Sequence, residues 1–144
     1  MGDKKVEKAL VLSGGSIKGA FQAGAIAHVL EAGFRPDAIY GTSVGSLNGG
    51  FLAERAGRMA VPNRRPNWPE LGRKLESFWV DKVQSPDQIA RARGTIALVW
   101  AIVRGEFDGL TDTDPLKALV ADECKTANLH ACPFPFYACA VNLV

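Results

Sequence analysis

A chain of 144 residues with 47% hydrophobic and 22% charged residues has ordinary globular composition, enough for one domain that buries about two-thirds of its unfolded surface. The net charge of +2 comes without a concentrated basic run, which argues neither for nor against nucleic acid; Arg64-Arg65 and Arg91-x-Arg93 read as solvated faces, and no nucleic-acid partner is expected. Cys124, Cys132 and Cys139 are odd in number and lack a CxxC spacing, which argues against a disulfide framework or a zinc site and fits a reducing, cytoplasmic location.

The N-terminal stretch Met1 to Lys8 is charged and leads straight into a strand pattern, with no apolar signal-peptide core behind it. Gly2 invites a myristoylation reading, but Val6 stands where that motif wants Ser or Thr. The longest apolar run, Thr95 to Val103, is too short to span a bilayer, so any membrane contact is expected to be peripheral.

Lys8 to Leu12 is a continuous apolar run of strand length, as expected of a central parallel strand covered on both faces. It ends in the loop Ser13-Gly14-Gly15-Ser16-Ile17-Lys18-Gly19, which leads into a helix over Ala20 to Ala32. Phe21, Ala25, His28 and Val29 lie along one face of that helix, and Gly33 supplies its C-terminal stop. Phe34-Arg35-Pro36 turns the chain into a second strand, Asp37 to Tyr40, and Val44 onward reads as a helix ending near Arg58. The order strand, helix, strand, helix predicts a parallel α/β sheet.

Ser43 sits at the turn between that second strand and its helix, inside Gly41-x-Ser43-x-Gly45. This is the nucleophile-elbow pattern, in which a sharp strand-to-helix reversal exposes a serine in a strained pose. A side chain at 41 or 45 would collide with the neighbouring strand or helix, and the helix N-terminus places unpaired N–H groups near the hydroxyl.

The glycine loop meets neither of two phosphate-binding patterns. A dinucleotide fingerprint needs a glycine where Ser16 stands, and a P-loop needs Gly-Lys-Ser/Thr after four residues. Two readings remain: an oxyanion hole whose backbone N–H groups lie beside the serine of the adjacent strand, or a loop whose glycines permit tight helix–strand packing.

Together, Leu12 to Gly24 and Gly41 to Gly49 resemble the corresponding two motifs of the patatin-like phospholipases, in the same order. The resemblance implies a three-layer α/β fold with a central, mostly parallel sheet, and a lipid acyl hydrolase acting without a cofactor or metal. It implies a nucleophile matching Ser43, an oxyanion loop matching Gly14, Gly15 and Ser16, and a positive charge at Lys18 for a phosphate head group. The family's usual third glycine is Ser16 here and its usual arginine is Lys18. Serine carries the same backbone N–H, and lysine keeps the charge without the bidentate geometry.

Downstream, Met59 to Asn67 is a Pro/Arg/Asn-rich connector, and Pro69 to Val80 reads as a helix whose Leu71, Leu75, Phe78 and Trp79 form a core-facing stripe. Ser85-Pro86-Asp87-Gln88 has the form of a capping box opening a helix to Arg93. Ile96 to Val103 is apolar all round, either a buried helix, a strand, or a lipid-facing lid. Thr113-Asp114-Pro115 caps a short helix over Leu116 to Asp122, where the similar family also carries an Asp/Thr-x-Pro-Leu segment. Phe134 to Val144 reads as a strand entered after prolines, and its ending on an apolar run is what is expected of a partial domain whose C-terminal part lies downstream.

The resemblance also implies a Ser-Asp dyad whose aspartate lies in a late Asp-Gly-Gly or Asp-Gly-Ala string. The sequence holds no such string; Asp108-Gly109-Leu110 has the wrong third residue and comes before the Asp-Pro-Leu segment, so Asp108 reads as a loop residue. A rival reading is a Ser-Asp-His triad of Ser43, His130 and one of Asp108, Asp112, Asp114 or Asp122. A reading from another class is a non-catalytic remnant that binds lipid or a partner protein. The expectation is therefore a hydrolase that attacks phospholipid or another acyl-ester lipid, impaired in this chain because a general base is missing.

Overall fold

The computed structural model describes residues 7–62, 65–83, 91–92, 111–112 and 114–140. The elements run β1 (Ala9–Leu12), a 3-10 turn (Ser16–Lys18), α1 (Gly19–Glu31), β2 (Ala38–Thr42), α2 (Val44–Arg58), α3 (Trp68–Lys82), β3 (Arg91–Ala92), β4 (Thr111–Asp112), α4 (Asp114–Glu123), α5 (Thr126–His130) and β5 (Phe136–Cys139). The expected mixed α/β architecture with a parallel sheet is present: β1 and β5 both pair in parallel with β2, with Leu12 opposite Gly41 and Gly41 opposite Ala138.

The strand order β1-β2-β5 corrects one expectation. Among the described residues β1 is an edge strand rather than a central one, and Val11 stands 74% exposed. Alternation along the strands sends Leu10, Leu12, Ile39 and Phe136 towards α2, while Val11, Tyr40 and Tyr137 face outward. The described helices therefore lie on one face, and the third layer of the expected fold is not seen among the described residues.

Helix α2 is buried along nearly all its length, against the sheet and against α3. Glycines let it lie this close. A Cβ on Gly45 would stand 2.2 Å from the carbonyl oxygen of Leu12, and one on Gly49 would stand 2.7 Å from the Phe136 ring. Helix α1 packs chiefly on α3, where a Cβ on Gly72 would stand 2.8 Å from Ala27 Cα. Its buried positions are Gly19, Ala23, Ile26 and Leu30; the face of Phe21, Ala25, His28 and Val29 is the outward one, with Phe21 83% exposed. Apolar periodicity did not orient this helix because alanine and glycine recur on all its sides. It ends as expected: Gly33 takes φ 101°, and Phe34 N–H donates to Val29 O at 3.0 Å.

Helix α3 carries its stripe inward as read, with Leu71, Leu75, Phe78 and Trp79 all in the core. Asn67 caps it through the Glu70 N–H, and Asn67 Nδ2 donates to Glu70 Oε2. The expected helix from Ser85 to Arg93 is corrected at its end, where Arg91–Ala92 pairs antiparallel with Thr111–Asp112. The capping box, the apolar run Ile96 to Val103, and Asp108 lie outside the described residues. Helix α5 had no counterpart in the sequence reading. Its approach is set by Gly57, where any side chain would collide with the Asn128 carbonyl. No described helix is long and apolar enough to cross a membrane.

An ionic clamp ties α2 to this C-terminal part. Glu54 is fully buried and receives Asn128 Nδ2 at 2.6 Å, Arg58 Nη2 at 2.7 Å and Arg55 Nη1, while Arg55 also holds the Glu123 carbonyl at 3.0 Å. Burial pushes the Glu54 carboxyl upward, but donation from Asn128, Arg58 and Arg55 outweighs it and holds the group below its ordinary value of 4.5. A carboxylate with a lowered folded pKa stabilises the fold fully above its unfolded value, and this contribution is lost as pH falls through the folded value. Glu54→Gln is therefore expected to cost about 3 kcal/mol in urea denaturation at pH 7, and the gap to wild type should narrow below pH 4.5. A gap that stays constant with pH would contradict this assignment.

All three cysteines are free thiols. Burial pushes the Cys132 thiol up to about 11 and also raises Cys124, whereas Cys139 is exposed. With a disulfide-exchange chromophore at pH 7.5, Cys139 should react first; Cys132 and Cys124 should follow only when the protein unfolds.

Candidate functional site

Parallel pairing of β1 and β2, with Leu12 opposite Gly41, puts the C-terminal ends of both strands at one edge of the sheet. The loop after β1 and the turn after β2 therefore meet. A Cβ on Gly14 would stand 3.2 Å from Ser43 Cβ and 3.8 Å from Ser43 Oγ. Glycine at 14 lets the loop backbone lie against the serine.

Ser43 is exposed and holds φ 54°, ψ −124°, the only positive φ at a non-glycine among the described residues. Such a conformation costs on the order of 1–3 kcal/mol, and the surrounding structure imposes it. On one side, a Cβ on Gly41 would stand 2.5 Å from the Gly45 carbonyl oxygen; on the other, Gly45 is pressed on Leu12 O. The Ser43 carbonyl accepts from Ser46 N–H at 2.8 Å and Leu47 N–H at 3.2 Å, starting α2, while its hydroxyl makes no capping bond. The side chain is thus held at a helix N-terminus, with the positive end of the α2 dipole behind it.

Gly15 O accepts from Lys18 N–H at 3.0 Å, closing the 3-10 turn that Ser16 opens, and Lys18 is exposed at the start of α1. A Cβ on Gly14 would face Ser43, and one on Gly15 would face the Lys18 side chain.

Three residues at the site carry roles that the sequence reading did not assign. Asn48 is fully buried; its Nδ2 donates to Gly19 O at 3.1 Å and to Gln22 Oε1 at 2.9 Å, and its Oδ1 accepts from Trp79 Nε1 at 2.7 Å. Gln22 Nε2 donates to Ser13 O at 3.2 Å. A polar asparagine in the glycine-rich first half of α2 was the available signal, and Trp79 was legible only as core. Gly19 completes the packing, since a Cβ there would stand 2.3 Å from Val44 Cγ2 and 2.5 Å from Trp79 Cζ2.

No side chain among the described residues hydrogen-bonds Ser43 Oγ. His130 is exposed at the end of α5, which packs near Gly57, roughly 20 Å of helix away from Ser43. The structure thus does not bring His130 and Ser43 together. Asp114 and Asp122 are exposed on α4, and Asp112 lies in β4. Among the described residues no group of three or more His, Cys, Asp or Glu side chains is placed to hold a metal ion. Beside the strand ends, Leu12, Gly41, Thr42, Tyr137 and their neighbours line an open hollow of about 160 Å³, smaller than the roughly 300 Å³ of typical ligand pockets.

The family model described as patatin-like phospholipase matches residues 10–136. A patatin-like phospholipase domain-containing protein of Caenorhabditis elegans is 41% identical over 70 residues, which cover 46% of this chain and 5% of that protein. The chain thus spans a small part of that relative. No solved structure matches.

The strain at the elbow is directly measurable. Ser43→Gly is expected to stabilise the fold by about 1 kcal/mol by removing the positive-φ penalty, while Ser43→Ala stays near wild type and Gly45→Ala loses about 3 kcal/mol or more. Thermal denaturation checks all three; a Ser43→Gly melting point below that of wild type would contradict the strain.

Proposed function

The chain belongs to the patatin-like phospholipase family, and from that premise we propose that it carries the serine and oxyanion-binding part of a lipid acyl hydrolase. The supporting observation is the contact between Gly14 and Ser43, with a Cβ-to-Cβ separation of 3.2 Å if residue 14 had a side chain. In this reading Ser43 Oγ attacks the ester carbonyl carbon of an acyl lipid. The carbonyl π electrons move onto oxygen, and backbone N–H groups of the loop Gly14, Gly15 and Ser16 receive that oxyanion, an effect worth about 3 kcal/mol for one such donor. Collapse breaks the ester C–O bond, the alcohol portion leaves with a proton, and an acyl-Ser43 ester remains. Water then attacks that ester, releasing the carboxylic acid and restoring the hydroxyl.

Gly41 and Gly45 hold the elbow in this scheme. Lys18, exposed at the mouth of the loop, meets the phosphate of a head group as a point charge. The substrate is a phospholipid or another acyl-ester lipid met at a membrane surface, with the protein peripheral to it and located in the cytoplasm. Neither a metal nor a cofactor enters any step.

The Ser43 proton needs a base, and no described side chain reaches it. In this reading the 144 residues on their own have little or no hydrolase activity, since the sequence holds no Asp-Gly-Gly or Asp-Gly-Ala string, and the Ser43-His130 pairing takes no part. A fluorophosphonate probe tests the assignment: slow labelling should vanish in Ser43→Ala and persist unchanged in His130→Ala. Labelling that survives Ser43→Ala would overturn the serine assignment, and labelling lost in His130→Ala would restore the triad.

A further inference from the structure

The chain Trp79–Asn48–Gln22–Ser13 runs from the core to the backbone of the glycine loop, and its hydrogen-bond polarity is fixed at one end. An indole N–H only donates, so the atom of Asn48 that faces Trp79 at 2.7 Å is the carbonyl oxygen. The Asn48 amide nitrogen then faces Gly19 O and Gln22, whose own oxygen must accept. That leaves the Gln22 amide nitrogen, 3.2 Å from Ser13 O, as a donor. Each amide group has one orientation that satisfies all its neighbours, so the tryptophan sets the direction of the whole relay.

Ser13 O belongs to the same planar unit as Gly14 N–H. The peptide is trans, as are all the described peptide bonds, so the two groups point in opposite directions. A glycine on each side of the next peptide, Gly14-Gly15, would otherwise let this plane rotate at little cost. We propose that Trp79, Asn48 and Gln22 are positioning residues for the acyl-transfer site: by gripping Ser13 O they lock the Ser13–Gly14 peptide plane and aim Gly14 N–H at the oxyanion formed on Ser43. This rests on the serine reading above and adds the device that orients its donor.

Two further observations fit that role. Asn48 lies on α2, the helix that Ser43 opens, and Gln22 lies on α1, which follows the glycine loop. The bond between their side chains thus ties the two converging βα junctions together at the level of the site. Gly19, whose carbonyl accepts from Asn48, leaves room for the Trp79 ring beside Val44. Asn48 is fully buried with every polar atom partnered, so its amide keeps one orientation, while Gln22 is half-buried and carries the relay out to the exposed Ser13 carbonyl.

Two substitutions at Gln22 separate positioning from support of Asn48. Gln22→Glu keeps an acceptor for Asn48 and loses the donor to Ser13; Gln22→Met loses both without adding charge. The readouts are the fluorophosphonate labelling rate, resolved into affinity and maximal rate, and the NMR order parameter of the Gly14 amide in the free chain. With the melting point within a few degrees of wild type, both variants should label at least about tenfold slower in the maximal rate with unchanged affinity. The Gly14 order parameter should fall from about 0.85 to below about 0.6. Gln22→Glu labelling at the wild-type rate would overturn the proposal, because Gln22 would then serve Asn48 alone. If wild type takes no label, or Ser43→Ala labels equally, the serine reading fails and the order parameter decides: a drop in both variants sustains the locked peptide, and an unchanged value overturns it.

Discussion

The approach of α2 to the sheet is the constraint on which the rest of the structure depends. A helix following a strand with no intervening loop reverses direction within one residue, and Ser43 is that residue, at φ 54°. The reversal is possible because Gly41 and Gly45 remove the two Cβ atoms that would separate strand from helix, leaving the Gly45 backbone in contact with Leu12 O. Once α2 is seated on β1 and β2, the N-termini of α1 and α2 fall at one edge of the sheet, and the loop after β1 has no room to avoid Ser43. Backbone strain at the serine and contact at Gly14 are two results of the same packing.

Two buried polar assemblies act at opposite ends of this helix. Near its start, Asn48 satisfies every polar atom through neutral hydrogen bonds to Trp79, Gln22 and Gly19. Towards its end, Glu54 is balanced by two arginines and Asn128. A neutral amide network carries little desolvation penalty and fixes orientation, whereas a buried carboxylate is tolerated only with full charge compensation. The first reaches the glycine loop at Ser13 O through Gln22; the second joins α2 to α4 and α5, with Arg55 also stacking on the Phe51 ring at 4.5 Å.

The outer face of the sheet has a different character. Tyr40 and Tyr137, opposite each other in register, stack with ring centroids 4.7 Å apart and planes 13° apart, and both remain substantially exposed. Parallel sheets are generally covered on both faces, and here the described helices cover one. The tyrosines turn aromatic faces to each other, which lowers the cost of that exposure.

Much of this was legible in order along the chain, because the informative signals were local. The two strand–helix junctions, the Gly33 stop, the inward stripe of α3 and the Gly41-x-Ser43-x-Gly45 reversal each follow from residue types within a single turn or period. What residues share a site across the fold depends on contacts between elements far apart in sequence, and no local pattern encodes those. The facing of α1 was not readable because small residues populate all its sides, so packing against α3 chose the buried face. Arg91–Ala92 became strand because a partner strand was available at Thr111–Asp112. The sequence by itself determined the strained serine and the glycines around it, since those are steric demands of one tight turn. Only the tertiary structure decided that Trp79, Asn48 and Gln22 reach the same loop and that His130 lies far from Ser43, because both are set by how helices pack on one sheet.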